Sequence, residues 1–337
     1  MTVLPPAPLV PQGRLLVVHA HPDDETLATG GLLATWAAGG EHVTLVTCTR
    51  GERGEVIGDE RVHLEGDGPR LAAHREQELG SALRALGVDD HAYLDALPVP
   101  GGGDDVSGER YEDSGMSWVG GERAGLSGHA GAAEVIPPHA LVAGSLDDQA
   151  ARLAELVRDR RPDVVVTYEP GGGYGHPDHV RAHEITMRAV ELAARASGSL
   201  PGHRPRDVWW TVIPSDVLRA ARTRLVDSVL AGRLPVGRAT LPAPDGPLPA
   251  VAAGDRHVVA VLDTRPVLDQ VERALRSHAT QVHRVVRLSG GTPDDASAIV
   301  GAYALSNDIL VPWLATEFYA RAVSTDGPSQ VAPSVER

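Results

Sequence analysis

An α/β fold is what this sequence predicts: a mostly parallel sheet with helices on both faces, followed by a smaller α+β part. Two observations carry the expectation. Over residues 14–200, short apolar, β-branched runs alternate with segments of helical spacing, and that alternation builds right-handed βαβ units. Beyond residue 200 the pattern loses its regularity, and a chain of 337 residues has room for one large domain with an appendage.

Taken in order, Arg14–Ala20 (RLLVVHA) suits a buried strand. Leu27, Leu32, Leu33 and Trp36 recur at helical spacing within Asp24–Gly39, and Gly39-Gly40 is a stop signal. His42–Thr49 reads as the next strand, Arg70–Gly87 as a helix closed by glycine, and His91–Asp95 as a short third strand. Residues 97–145 are rich in Gly, Pro, Asp and Ser; a loop of that length in a compact domain is usually functional or mobile. The alternation resumes with a helix over Leu146–Arg160, a strand over Asp163–Tyr168 and a helix from Asp178 to about Ala196. After a loop at Ser197–Arg206, Val208–Ile213 and His257–Leu262 read as strands and Thr264–Gln281 and Ser306–Arg321 as helices, with Pro242–Pro249 as a connector. The expected division is a Rossmann-like domain over 14–200 and a smaller α+β part over 201–325, with flexible ends at 1–13 and 326–337.

Composition excludes several classes. Hydrophobic residues make up 42% and charged residues 23%, which is ordinary for a globular chain. The formal charge is −14, from 45 acidic residues against 31 basic ones, all of them arginine. An acidic surface repels phosphate backbones, so no nucleic-acid partner is expected; the plainer consequence of the charge is solubility. Cys48 is the single cysteine, so no intrachain disulfide forms, and at the end of a strand-like run it reads as a small buried hydrophobe. The sequence has no basic segment followed by an apolar stretch near residue 1, and no apolar run of about 20 residues. These features predict a soluble, cytoplasmic protein with no membrane partner. Oligomeric state is not legible in them.

The chemistry gathers at two places, His21-Pro22-Asp23-Asp24-Glu25 and Tyr174-Gly175-His176-Pro177-Asp178-His179. Each follows an expected parallel strand and opens the next helix. The carboxyl ends of such strands share one rim, where ligands bind, so clusters far apart in sequence meet there. Imidazole and carboxylate together favour zinc, or iron of similar preference, over magnesium or calcium. A catalytic zinc takes three protein ligands and leaves a position for water. The two clusters offer more than three, leaving carboxylate and imidazole for acid–base work. Spacing does not say which aspartate of the pair does which task. Either cluster alone is also what a capped helix start looks like; their occurrence at two matching strand ends selects the metal site. His183, four residues after His179, is a weaker ligand candidate one turn further from the rim, and His19 reads as a packed core residue.

Other classes fit less well. A nucleotide binder on this fold carries G-x-G-x-x-G at the first βα turn, where this chain has His19-Ala20-His21-Pro22-Asp23-Asp24. A non-catalytic metal- and sugar-binding protein is not excluded by composition, but a spare carboxylate beside an open metal site argues for hydrolysis.

At these residues the chain resembles the PIG-L/LmbE superfamily of metal-dependent de-N-acetylases, whose signatures are an HPDDE-type and an HPDH-type motif. Within it, the similarity is to the branch acting on N-acetylglucosaminyl-myo-inositol in mycothiol biosynthesis. It rests on VVHAHPDDET, VTCTRGERGEVIGD, the DSGM of Asp113–Met116, VVVTYEPGGGYGHPDHV, SHATQV at Ser277–Val282 and ALSN at Ala304–Asn307. The resemblance implies one zinc per chain (iron being the alternative) on His21, Asp24 and His179, with Asp23 as general base. It implies His176 as the imidazole that stabilises the oxyanion, with either His176 or Asp23 protonating the leaving amine, Tyr174 as an assistant at the carbonyl, and Asp178 as the residue orienting His176. Arg75, Asp113, Met116 and Glu55 fall where substrate contacts lie, although Arg75 also reads as a salt-bridged helix residue and Met116 as packing. The implied substrate is a small amino-sugar inositol and the implied product pair acetate and glucosaminyl-inositol. The related mycothiol S-conjugate amidases look to carry a lysine just after HPDDE; here Thr26-Leu27-Ala28-Thr29 stands there and the chain has no lysine. Gly171 departs from the family's usual asparagine, which puts loop rigidity in doubt. The stretch Pro98–Arg110 looks longer than usual.

Overall fold

The structure, a computed structural model, describes residues 9–98, 110–118, 130–252, 258–289 and 295–322. Residues 1–8 and 326–337 of the expected flexible ends, and 99–109 and 119–129 of the expected long loop, lie outside that set. In chain order the strands are β1 (Leu15–His19), β2 (Val43–Thr47), β3 (Asp90–Tyr93), β4 (Met116–Trp118), β5 (Ala130–Ala132), β6 (Val164–Tyr168), β7 (Asp207–Val212), β8 (Val258–Asp263), β9 (His283–Arg287), β10 (Ile299–Ala304), β11 (Leu310–Leu314) and β12 (Thr316–Arg321). The helices are α1 (Asp24–Ala38), α2 (Gly68–Leu86), α3 (Leu146–Arg160), the single turn α4 (Gly172–Gly175), α5 (Pro177–Ala193), α6 (Ser215–Leu230) and α7 (Leu268–Ser277). No helix among the described residues is long and apolar enough to cross a membrane.

Seven strands form one sheet in the order β3-β2-β1-β6-β7-β12-β8. From β3 to β7 the neighbours are parallel, and β12 is antiparallel to both β7 and β8. The chain winds outward from β1 to β3, then crosses back to β6 on the other side of β1. The strand order therefore reverses between β1 and β6, and the carboxyl ends of those two strands flank the crevice where such sheets bind ligands. Strands from both sides of residue 200 share this sheet.

Alternation along β1 explains how the sheet is held. Leu15 and Val17 face one apolar cluster with Leu32, Leu33 and Trp36 of α1, Leu79 and Leu83 of α2 and Leu275 of α7. Leu16 and Val18 face a second with Leu153 and Val157 of α3 and Ile185 and Ala189 of α5. All five β1 residues are buried, as a parallel strand covered on both faces must be. A third cluster packs Ala221 and Leu225 of α6 on the separate sheet β11-β10-β9.

Helix α1 is kinked at Thr29, where φ is −141°. The backbone N–H groups that follow, Gly31 and Leu32, donate instead to the Glu317 carboxylate of β12 at 2.7 and 2.8 Å. A side chain at Gly31 would put its Cβ 2.4 Å from Thr264 Cγ2 and 2.8 Å from Glu317 Oε1, so glycine is what lets α1 approach β12.

One expectation is overturned. Ser306–Arg321, expected to be helical, forms β11 and β12. Leu310, Trp313, Leu314 and Phe318 do recur at helical spacing, but Pro312 removes a helical donor, and β11 is an edge strand of its sheet, where proline is tolerated. Helix α7 is also shorter than the expected Thr264–Gln281, because residues 278–282 form a turn that enters the site.

Candidate active site

The two clusters converge across the β1/β6 crevice. A cavity of about 690 Å³ opens there, and its lining includes His21, Asp23, Asp24, Glu55, Arg75, Asp113, Met116, Tyr174, His176 and His179. Of the expected site residues, Asp178 is absent from the lining; it is fully buried behind His21.

His21 and His179 are held the way metal-binding imidazoles are held. His21 Nε2 lies 3.1 Å from Asp178 Oδ2, leaving Nδ1 facing Asp24 Oδ2 at 3.3 Å. His179 Nδ1 lies 3.2 Å from the Gly172 carbonyl, leaving Nε2 facing the same Asp24 Oδ2 at 3.3 Å. His179 Nε2 is buried without a hydrogen-bond partner among the described residues. Anchoring one ring nitrogen on a carboxylate or carbonyl, so that the other faces the ion, is the recurrent arrangement at metal sites. Ligand atoms around a tetrahedral zinc stand roughly 3.3 Å apart, and both Asp24 separations have that value. The donor set therefore fits a divalent transition metal.

The local charge points the same way. Burial lowers an imidazole's pKa, yet Asp113, Asp178 and Asp24 reverse this and hold His21 well above its ordinary value. Burial works against the charge on Asp24 too, but His179 and His21 hold it well below the usual carboxylate range. These carboxylates call for a cation at this point, which a metal supplies without a proton.

His176 is a different kind of group. One ring nitrogen each of His21, His176 and His179 lie within 4.8 Å of one another, so proximity alone admits His176 to a metal set. Its Nδ1, however, accepts the Asp178 backbone N–H at 3.1 Å as the N-cap of α5. A nitrogen that accepts carries no proton, so in the neutral ring Nε2 does. Burial, with His21 and His179 close by, holds the ring well below its ordinary pKa and hence neutral. His176 is thus a neutral donor at the cavity wall. The capping also explains a difference from the expected role of Asp178. Its carboxylate is engaged by His21 Nε2 and by the backbone N–H and hydroxyl of Ser114, and what reaches His176 is its backbone. A second possible set, His21, Asp113 and Asp178, also lies within 4.8 Å.

Asp23 sits in a strained turn. Its φ of 103° is one that L residues rarely adopt, at a cost of order 1–3 kcal/mol. Its carboxylate is 3.5 Å from the Arg75 guanidinium. Burial pushes the carboxyl up to about 7, against the pull of Arg75 and with the push of Asp24. Arg75 is buried at 3% exposure, its guanidinium bonded to the Gly51 and Pro22 carbonyls. It therefore clamps the β1–α1 turn to the loop after β2 and still lines the cavity.

The remaining positions follow. Asp113 accepts the Gly115 N–H at 2.8 Å and lies 3.8 Å from His21 Nε2. Glu55 is exposed at the cavity mouth. Tyr174 packs edge-on to His179, with ring centroids 5.0 Å apart. His183 bonds the Tyr168 carbonyl and rests on Trp210, away from the cluster. His19 bonds Thr29 and is pushed down to about 4 by burial.

The loop before α5 is built for this geometry. Gly172 has φ +64°, and a Cβ there would lie 2.7 Å from Val180 N and 2.9 Å from His179 Cβ, so glycine is required beside the imidazole it anchors. A Cβ at Gly171 would meet Ala250 Cβ at 2.6 Å. The departure from asparagine is thus matched by its neighbour, and Glu169 braces the loop through the Gly171 and Gly173 N–H groups.

The signature of the family described as GlcNAc-PI de-N-acetylase, PIG-L, matches residues 16–190 and so spans both clusters. This chain belongs to the PIG-L family. It is 42% identical over 91% of its length to a 1D-myo-inositol 2-acetamido-2-deoxy-alpha-D-glucopyranoside deacetylase of Kineococcus radiotolerans, covering 76% of that protein. It is 43% identical over 91% of its length to the protein of that name from Rhodococcus opacus, covering 90%. Among solved structures it is similar to an N,N'-diacetylchitobiose deacetylase from Pyrococcus horikoshii, with 17% identity, a TM-score of 0.46, and 79% and 69% of the two chains covered.

Part of this PIG-L chain's site lies beyond the matched segment and was missed by motif reading. His278 and Thr280, in the turn after α7, are fully buried against Glu25 and Glu78. The SHATQV similarity marked this turn without giving any of its residues a task.

Proposed function

We propose that this chain hydrolyses the N-acetyl group of N-acetylglucosaminyl-myo-inositol, at one zinc or iron ion held by His21, Asp24 and His179. The observation that carries the reading is Asp24 Oδ2 at 3.3 Å from both His21 Nδ1 and His179 Nε2, with the other nitrogen of each ring anchored behind it. The substrate reading is supported by the name shared by the curated relatives.

A divalent metal bound there supplies Lewis acidity at the amide carbonyl and makes water a better nucleophile at neutral pH. The chain's own residues do the rest. Asp23 takes the proton of the attacking water: its carboxylate lies outside the ligand set and lines the cavity, whereas Glu25 is engaged by His278 and the Asp23 backbone. His176, neutral and protonated at Nε2, donates to the oxyanion, with Tyr174 beside it. The leaving amine needs a proton, and the neutral state of His176 favours Asp23, as its conjugate acid, for that transfer. Arg75, Asp113, Met116 and Glu55 line the cavity and are the groups proposed to hold the sugar and inositol hydroxyls.

Metal-loaded protein assayed side by side on the acetylated pseudodisaccharide and on a mycothiol S-conjugate tests the substrate. The expected result is a higher kcat/KM for the acetylated compound, because Thr26–Thr29 offers no lysine. A higher value for the bulky conjugate would make the amidase reaction the principal one.

A further inference from the structure

We infer that Glu25 and His278 are positioning residues that hold Asp23 in its reactive orientation, an inference that rests on the reading of Asp23 as the base. Glu25 Oε2 accepts the Asp23 backbone N–H at 2.8 Å. Glu25 Oε1 accepts from His278 Nε2 at 2.7 Å and from the Thr26 hydroxyl. The Glu25 and His278 side chains are each 1% exposed, although 253 residues separate them in sequence.

The pair is tied into the surrounding frame. The turn carrying His278 is gripped by Glu78 of α2, which accepts the Thr280 N–H at 2.8 Å and the Thr280 hydroxyl at 2.6 Å. The same turn reaches the loop after β2: Ile57 N–H donates to the Thr280 carbonyl at 2.9 Å, and Gln281 Nε2 donates to the Glu55 carbonyl at 3.0 Å. Gln281 and Glu55 both line the cavity. The chain of bonds therefore runs from the substrate side of the cavity, through the turn, to the backbone of Asp23.

Plain packing does not call for this arrangement. Two apolar side chains would fill the space without desolvating a carboxylate and an imidazole. A backbone at φ 103° persists only where its surroundings over-determine it, and the Glu25 carboxylate is the group bonded to that residue's N–H. Misplacing a reacting group by about 1 Å costs on the order of 10²-fold in rate, so releasing Asp23 has a kinetic signature.

The test compares His278→Ala, His278→Gln and Glu25→Gln, each alone and in the Asp23→Asn background, by kcat, KM, metal content and melting temperature. His278→Ala is expected to lower kcat by about 10- to 100-fold, with KM and metal content unchanged. His278→Gln keeps a donor at the same reach and is expected to recover most of that loss. Glu25→Gln leaves one acceptor oxygen for three donors and is expected to lower kcat too, which serves if His278→Ala fails to fold. In the Asp23→Asn background none of the three should lower kcat further, since the group they position is gone. An equal loss in that background, an unchanged kcat in both His278→Ala and Glu25→Gln, or a loss confined to KM or metal content would overturn the inference while leaving Asp23 as the base. Full activity of Asp23→Asn alone would remove the base and the inference with it.

Discussion

Asp23→Asn is expected to lower kcat by about 10²–10⁴-fold, or roughly 3–5 kcal/mol of barrier, the usual contribution of a general base. Metal content should stay at one per chain, because Asp24, not Asp23, faces His21 and His179. KM should change little, since the amide keeps the shape of the side chain. Asparagine suits the test for a backbone reason as well. It tolerates positive φ better than alanine does, so the turn at φ 103° is retained and the comparison isolates the carboxylate. Steady-state kinetics and elemental analysis of the same preparation decide it. Loss of metal in Asp23→Asn, with retention in Asp24→Asn, would exchange the two roles.

His179→Ala has an effect of similar size by a different route. It removes one of the three proposed ligands and should leave the protein without tightly bound metal after dialysis, with activity lost in parallel. His183→Ala is the control: that ring bonds the Tyr168 carbonyl and stands apart from the cluster, so both metal and activity should persist. Asp178→Asn should be intermediate, lowering metal affinity by about 10- to 100-fold, because the group holding His21 Nε2 loses its charge. Metal titration of the three variants checks the order. Loss of metal in His183→Ala but not in His179→Ala would place the site one turn further along α5.

The Rossmann-like half was legible because its signals are local. The apolar runs of β1, β2 and β6 and the glycines that close α1 and α2 need no distant partner to be read, and the reversal of strand order then brings His21 and His179 to one crevice. The C-terminal part was harder because its strands are defined by partners. Residues 310–321 carry apolar spacing compatible with a helix, and pairing with β10, β7 and β8 decides for strand. Helix α6 and strands β9 and β10 were not anticipated for a related reason: their apolar faces complete a small third cluster rather than a long periodic stripe. In the site, HPDDE and HPDH named the residues but not their atoms. That His176 is capped through Nδ1 and that Asp178 supports His21 are facts of the turn at α5. Glu25 stood in the motif as one carboxylate among three, and its bond to His278 spans the chain.

The proposed site holds a single metal between His21 Nδ1, Asp24 Oδ2 and His179 Nε2. Anomalous diffraction from a crystal of the protein purified without chelator, recorded above and below the zinc and iron edges, tests it most directly. One anomalous peak per chain is expected, within bonding distance of those three atoms and of neither ring nitrogen of His176. A peak between His21, Asp113 and Asp178, or fully active protein with no peak, would contradict it.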